Sequence, residues 1–197
     1  MTIDLTINKD SINSDFERIA FDLMNHWILK VETKLYRIAE IEFYLKSDFH
    51  LDNSTHGHDL QKEMERWYFH GAGVDITFGK KDFYGGILIR AIYDISNSKY
   101  IYGPLNTVTE IFSNINSVYE SKFSFGLIPA ESNNLIIETP ISAPRVGLNP
   151  INNKVMFDSL YRFLIMPKRK HAEKTKIVEG MKLQCKYSEN EINEIWG

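Results

Sequence analysis

The chain has 197 residues, 43% hydrophobic and 13% aromatic, which marks a globular sequence able to bury a core, one domain rather than two. A formal net charge of -3 excludes a protein that coats nucleic acid through bulk positive charge, though not one that gathers its basic residues on one face. The lone cysteine, Cys185, excludes an internal disulfide framework, and with no basic-then-apolar start and no bilayer-length apolar run the expectation is a cytoplasmic protein with no membrane segment.

In chain order, Ser14 is placed to cap a helix over residues 14–29, with Glu17 at the capping-box position three residues on. Phe16, Ile19, Ala20, Leu23, Met24, Trp27 and Ile28 then recur on one face, a packing stripe. Residues 30–34 read as a short strand or turn. Residues 37–45 alternate as a strand, with Ile38, Glu40, Glu42 and Tyr44 on one face and Arg37, Ala39, Ile41, Phe43 and Leu45 on the other. The second face belongs to a core. The first carries two carboxylates and an aromatic ring, and alternation alone lets it either meet water or line a site.

Residues 46–65 lose this periodicity and hold His50, His56 and His58, which predicts a long polar loop with a helical turn near residues 60–66. Imidazole and carboxylate could bind a divalent ion at His50, Asp52, His56 and His58, but the spacing matches no tight motif and no metal is expected. A glycine turn around residues 71–73 leads into a strand with Val74, Ile76 and Phe78 on one face and Asp75 and Thr77 on the other. Residues 84–92 form a strand apolar on both faces except at Arg90, whose charge needs a partner such as Glu40 or Asp94, or a role in a pocket.

Gly103 and Pro104 open a helix expected to run to about Tyr119 with Val108, Ile111, Phe112 and Ile115 inward. Residues 121–134 are turn-rich, 135–138 read as a strand, and 158–165 as a last core strand. The basic run over residues 167–171 reads as a solvated tail or a phosphate contact, and residues 178–197 as an acidic, ragged end. With no repeat or linker, the reading is a single α+β domain.

Several pieces, in this order, resemble the alkyladenine (3-methyladenine) DNA glycosylase family. Its R-I-x-E-x-E-x-Y-L strand is similar to Arg37, Ile38, Glu40, Glu42, Tyr44 and Leu45, and its D-x-x-x-H stretch to Asp52 and His56. Its V-L-I-R-A strand end resembles residues 87–91, its helix-opening glycine and proline Gly103 and Pro104, its R-V-G Arg145, Val146 and Gly147, and its L-R-F strand residues 161–163. The likeness spans roughly residues 16–166.

The resemblance implies a single mixed domain around a curved antiparallel sheet with packed helices, and no metal or other cofactor. The implied activity is hydrolysis of the N-glycosidic bond of an alkylated or deaminated purine flipped out of duplex DNA, without strand cleavage. Glu42 would activate water and Tyr44 stack on the base. His56 would approach the base edge or a phosphate, and Arg90 would complement substrate charge. Asp75 stands where the family has a base-stacking tyrosine, and Phe78 where it has the tyrosine that fills the hole left by flipping. The hairpin that supplies a pocket asparagine is shortened to residues 80–84, and a basic N-x-R-G stretch is replaced by residues 63–66. These departures fit a second possibility, a relative that keeps the fold and binds nucleic acid or nucleosides without cleaving, or acts on another N-glycoside. A third, a polar strand face turned to solvent, predicts that Glu42, Tyr44, His56 and Arg90 do not converge.

Overall fold

Ser11, not Ser14, occupies the N-cap of the first helix, α1 (Ile12–His26), and hydrogen-bonds Asp15 Oδ2 through its hydroxyl at 2.8 Å. Ser14 instead donates back to the Ser11 carbonyl at 2.9 Å. The helix stops at His26 because Trp27 takes an extended conformation, so Trp27 and Ile28 begin strand β1 (Trp27–Val31) rather than end the helix.

The computed structural model describes residues 2–115, 118–119, 122–130, 135–151 and 154–196. After β1 come β2 (Lys34–Ser47), β3 (His50–Leu51), a 3-10 turn (Asp59–Lys62), β4 (Met64–His70), β5 (Gly73–Phe78), β6 (Tyr84–Asp94) and β7 (Lys99–Tyr102). Then follow α2 (Pro104–Phe112), β8 (Phe125–Pro129), β9 (Ile141–Ala143), α3 (Lys154–Phe157), β10 (Arg162–Leu164), α4 (Lys174–Leu183) and α5 (Glu189–Trp196). The strands form one antiparallel sheet in the order β4-β5-β6-β2-β1-β8, curled into a half-barrel, with β7 beside β6 and β10 carrying β9.

Strand β2 is the axis of the sheet. One edge pairs with β6 from Tyr36 to Lys46; the other is shared by β1 over residues 34–37, β10 over Glu40–Glu42 and β3 at the end. Its apolar face packs under α1, where Phe16 stacks on Phe43 with centroids 4.2 Å apart and meets Phe78 edge-on at 5.9 Å. Rings in these offset and edge-on arrangements gain on the order of 1 kcal/mol beyond area burial. The domain is thus mixed α+β around a curled antiparallel sheet.

Several expectations are corrected. The polar segment after β2 is broken by β3 and by the 3-10 turn at Asp59–Lys62, and residues 64–66 belong to β4. Helix α2 ends at Phe112, which is exposed, as is Ile115; residues 116 and 117 of the expected helix lie outside the described residues. The turn-rich stretch contains β8, while residues 121 and 131–134 lie outside the description. Residues 135–138 are not a strand, and at Glu138 both backbone groups bond a side chain: its N–H donates to Asn25 Oδ1 and its carbonyl accepts from Asn25 Nδ2, both at 2.9 Å. The last core strand is reduced to β10.

The C-terminal region is neither ragged nor merely solvated. Ile177, Met181 and Ile192, from α4 and α5, close a second core over Ile141, Ala143 and Leu164 of the β9–β10 pair. These apolar residues sit one per turn among lysines and glutamates, too sparsely to show as a stripe.

Candidate functional site

The register between β2 and β6 shifts on both sides of Glu40: Ile38 pairs with Ile92, Glu40 with Ala91 and Ile41 with Ile89, so Ala39 and Arg90 have no cross-strand partner. A bulge of this kind re-aims a side chain. Here Arg90 lies between two carboxylates, its Nε 2.9 Å from Glu40 Oε1 and its Nη1 3.2 Å from Glu42 Oε2. Its partners are therefore Glu40 and Glu42, while Asp94 caps the turn after β6 by accepting from the Ser96 and Asn97 amides.

Glu40 is the better-held acid. Arg162 Nε donates to Oε1 at 2.9 Å, and His171 Nδ1 lies 2.7 Å from Oε2. Burial alone would push its pKa up, but His171, Arg162 and Arg90 outweigh burial and bring it to about 2. His171 comes from the basic run, so that run is packed inward at its end. Its Nε2 faces the Met166 carbonyl at 3.1 Å, so the imidazole donates from both nitrogens.

Glu42 is also without solvent exposure. Its Oε2 accepts from the Tyr44 hydroxyl at 2.8 Å, and its Oε1 accepts from the Val146 N–H at 2.7 Å. Burial, followed by the Glu42 charge, holds the Tyr44 hydroxyl well above its ordinary pKa, so it stays a donor. The Arg145 guanidinium lies over the Tyr44 ring at 4.5 Å and bonds Asp52 Oδ2 at 2.6 Å. Asp52 thus anchors the loop that carries His56 to the segment that carries Val146.

Tyr44, His56 and Asp75 line one cavity of about 150 Å³, together with Gln61, His70 and the backbone of residues 146–148. Glu42 sits behind its wall, bonded to Tyr44 and Val146, and Arg90 sits one contact further back. Of the four residues chosen together from sequence, Tyr44 and His56 line this cavity, while Glu42 and Arg90 lie buried behind it. Phe78 does not line it. It is fully buried against Phe16 and Phe43, because period-2 alternation turns it to the core with Val74 and Ile76, and the expectation of a wedge at Phe78 is corrected.

Asp75 accepts from His70 Nε2 at 3.0 Å and from Gln61 Nε2 at 3.3 Å. His70 Nδ1 accepts from the Ala72 N–H at 3.2 Å, which makes the ring the neutral Nε2–H tautomer. Gly86 on β6 is required beneath this cluster: a Cβ there would stand 2.5 Å from Asp75 Oδ2 and 2.8 Å from Gln61 Nε2. His56 meets the His70 ring edge-on, with centroids 4.4 Å apart. Burial and the neighbouring His70 lower its pKa, which favours neutral imidazole at neutral pH. The other histidines are employed elsewhere: His50 bonds the Leu45 carbonyl and Tyr161, and His58 caps the 3-10 turn and stacks on Tyr68. Among the described residues no group of three His, Cys, Asp or Glu side chains is arranged to hold a metal ion.

Sequence reading missed Gln61, His70, Arg162 and His171 as members of this region. His70 carried a signal, since it shares period-2 alternation with Tyr68 just before the glycine turn. A larger groove of about 690 Å³ lies between α1 and the end of α4, but its charged side chains already pair with one another, Arg18 with Asp4, His26 with Asp22 and Lys186 with Glu17.

No protein-family model matches the chain. The chain is 30% identical over 208 aligned residues to "Uncharacterized protein L759" of Acanthamoeba polyphaga mimivirus, a match covering 85% of this chain and 94% of the viral protein. It belongs to the family of that viral protein. No helix among the described residues is long and apolar enough to cross a membrane.

Proposed function

We propose that this protein is a glycosylase-like hydrolase that receives one damaged purine base, extruded from duplex DNA, in the cavity beside Glu42. The observation that carries the reading is the junction of Glu42 with the cavity wall, through the Tyr44 hydroxyl at 2.8 Å and the Val146 N–H at 2.7 Å. A carboxylate offers about four lone-pair sites. Tyr44, Arg90 and Val146 take three, so one acceptor site is left for a water proton.

The cavity size argues in the same direction. About 150 Å³ suits an occupant the size of a benzene ring or a flat base, and sites for drug-sized ligands are roughly twice that or more. In the proposed reaction water adds to C1′ as the C1′–N bond breaks; the base leaves with the bonding pair and Glu42 takes the water proton. The Glu42 charge would also stabilise the positive charge developing on the sugar. Tyr44 and His56 would contact the base in the cavity, and Arg90 would fix Glu42 in place. No nucleophilic lysine lines the cavity, in keeping with simple hydrolysis.

One observation favours a second reading, binding without cleavage. Glu42 has no solvent exposure and lies behind Tyr44, and no Lys or Arg lines the cavity to meet a phosphate. Release of free base from duplexes carrying 3-methyladenine, 1,N6-ethenoadenine or hypoxanthine separates the two. Release supports hydrolysis, and duplex binding without release supports the binding reading.

A further inference from the structure

Among the described residues, Asp75 is the only Asp, Glu, Lys or Arg lining the cavity, and it is 3% exposed. Its two hydrogen-bond partners are neutral: Gln61 is an amide, and His70 is held as the Nε2–H tautomer by the Ala72 N–H on its Nδ1. The nearby arginines bond other acceptors, Arg90 to Glu40 and Glu42 and Arg145 through Nη1 to Asp52 and the Phe43 carbonyl, and neither bonds Asp75. A buried carboxylate without a cation is costly until its oxygens are hydrogen-bonded.

Three donors at the cavity are already committed within the protein. The Tyr44 O–H is donated to Glu42, the His70 N–H to Asp75 and the Val146 N–H to Glu42, so these donors are withdrawn from a ligand. Each Asp75 oxygen keeps a second lone pair, since each accepts one bond from the protein. Gly86 leaves the space that lets this carboxylate lie flat against β6 at the cavity wall.

We infer that Asp75 is the specificity-determining residue of the cavity, accepting hydrogen bonds from the amino edge of a planar heteroaromatic base and excluding bases that present a keto oxygen there. A 6-amino purine puts an N–H donor against the carboxylate. A 6-keto purine puts oxygen against oxygen, and a buried acceptor left facing an acceptor loses the full hydrogen-bond and desolvation energy. The inference rests on the base-binding half of the proposed function and not on hydrolysis.

The test titrates the full chain with adenine and with hypoxanthine, which differ at the amino and keto position, and follows backbone N–H shifts by NMR. Adenine is expected to bind about tenfold more tightly or better, with shifts at His70, Ala72 and Asp75. Asp75→Asn, whose amide can turn a donor to the ligand, is expected to abolish the preference. The same comparison on duplexes carrying one unpaired adenine or one unpaired hypoxanthine identifies the source: preference in the duplex assigns the base to nucleic acid, and preference with free bases alone assigns it to a small molecule. Equal affinity of the wild-type chain for adenine and hypoxanthine, binding of neither, or an unchanged preference in Asp75→Asn overturns the inference. The wild-type comparison stands whether or not the variant folds. Amino preference without base release removes only the hydrolytic reading, and base release without amino preference removes only this inference.

Discussion

Glu40 and Glu42, two residues apart on β2 and both without solvent exposure, share the guanidinium of Arg90. The sharing is unequal in its consequences. Glu40 keeps Arg162 and His171 if Arg90 is removed, whereas Glu42 keeps only the neutral donors Tyr44 and Val146. Arg90→Met is therefore expected to strand a charge at Glu42 and lower stability by about 3–5 kcal/mol. Urea unfolding measures the loss, and the double variant Arg90→Met with Glu42→Gln is expected to recover part of it. A single variant as stable as the wild-type chain contradicts this account of the pair.

Acid should remove stability through Glu40. Its folded pKa of about 2 lies below the ordinary value of 4.5, so the folded state favours the charged form. That contribution is present above pH 4.5 and fades as pH falls toward 2, with a full size on the order of 3 kcal/mol. Unfolding free energies measured between pH 6 and 3 should fall accordingly, and Glu40→Gln should flatten the slope over that range. His171→Gln, which removes one of the donors, should move the acid midpoint upward.

Phe78 belongs to the core, so its substitution should act on stability and not on ligand binding. Phe78→Ala removes the edge contacts to Phe16 and Phe43 and is expected to cost about 3–5 kcal/mol. Adenine binding by the fraction that remains folded should be unchanged. A binding defect out of proportion to unfolding would return Phe78 to the cavity.

Gly86→Ala is expected to do the opposite. The added methyl meets Asp75 Oδ2 and Gln61 Nε2 at 2.5 and 2.8 Å, so the Asp75 side chain must move. Overpacking of this kind costs about 1–3 kcal/mol. Thermal unfolding should register that modest loss, while base binding should fall much further than Phe78→Ala lowers it.

Period-2 alternation made β2 and β5 legible, because each presents one apolar face to the core: Ile41 and Phe43 on one strand, Val74, Ile76 and Phe78 on the other. The same pattern separated Asp75 from Phe78. It could not tell that the opposite face of β2 is buried too, since that depends on β10 and the C-terminal segment laying Arg162 and His171 over Glu40. Short strands such as β9 and β10, three residues each, carry too few positions to show a period. The bulge at Ala39 and Arg90 has no sequence signal, yet it decides that Arg90 serves Glu42 and not Asp94. Gln61 was hidden because its role is a fold-level one. Its amide oxygen caps the 3-10 turn through Gly57 and His58 while its nitrogen reaches Asp75.

The central claim is that Glu42 works on a base held in the cavity it backs. The most direct measurement is the rate of free-base release from duplexes carrying 3-methyladenine, 1,N6-ethenoadenine or hypoxanthine, by the wild-type chain and by Glu42→Gln. The account predicts release of 3-methyladenine, which carries the amino edge, by the wild-type chain and a loss of about 10²–10⁴-fold in Glu42→Gln, with the fold retained. No release from any of the three duplexes by folded wild-type protein, or equal release by both proteins, would contradict it.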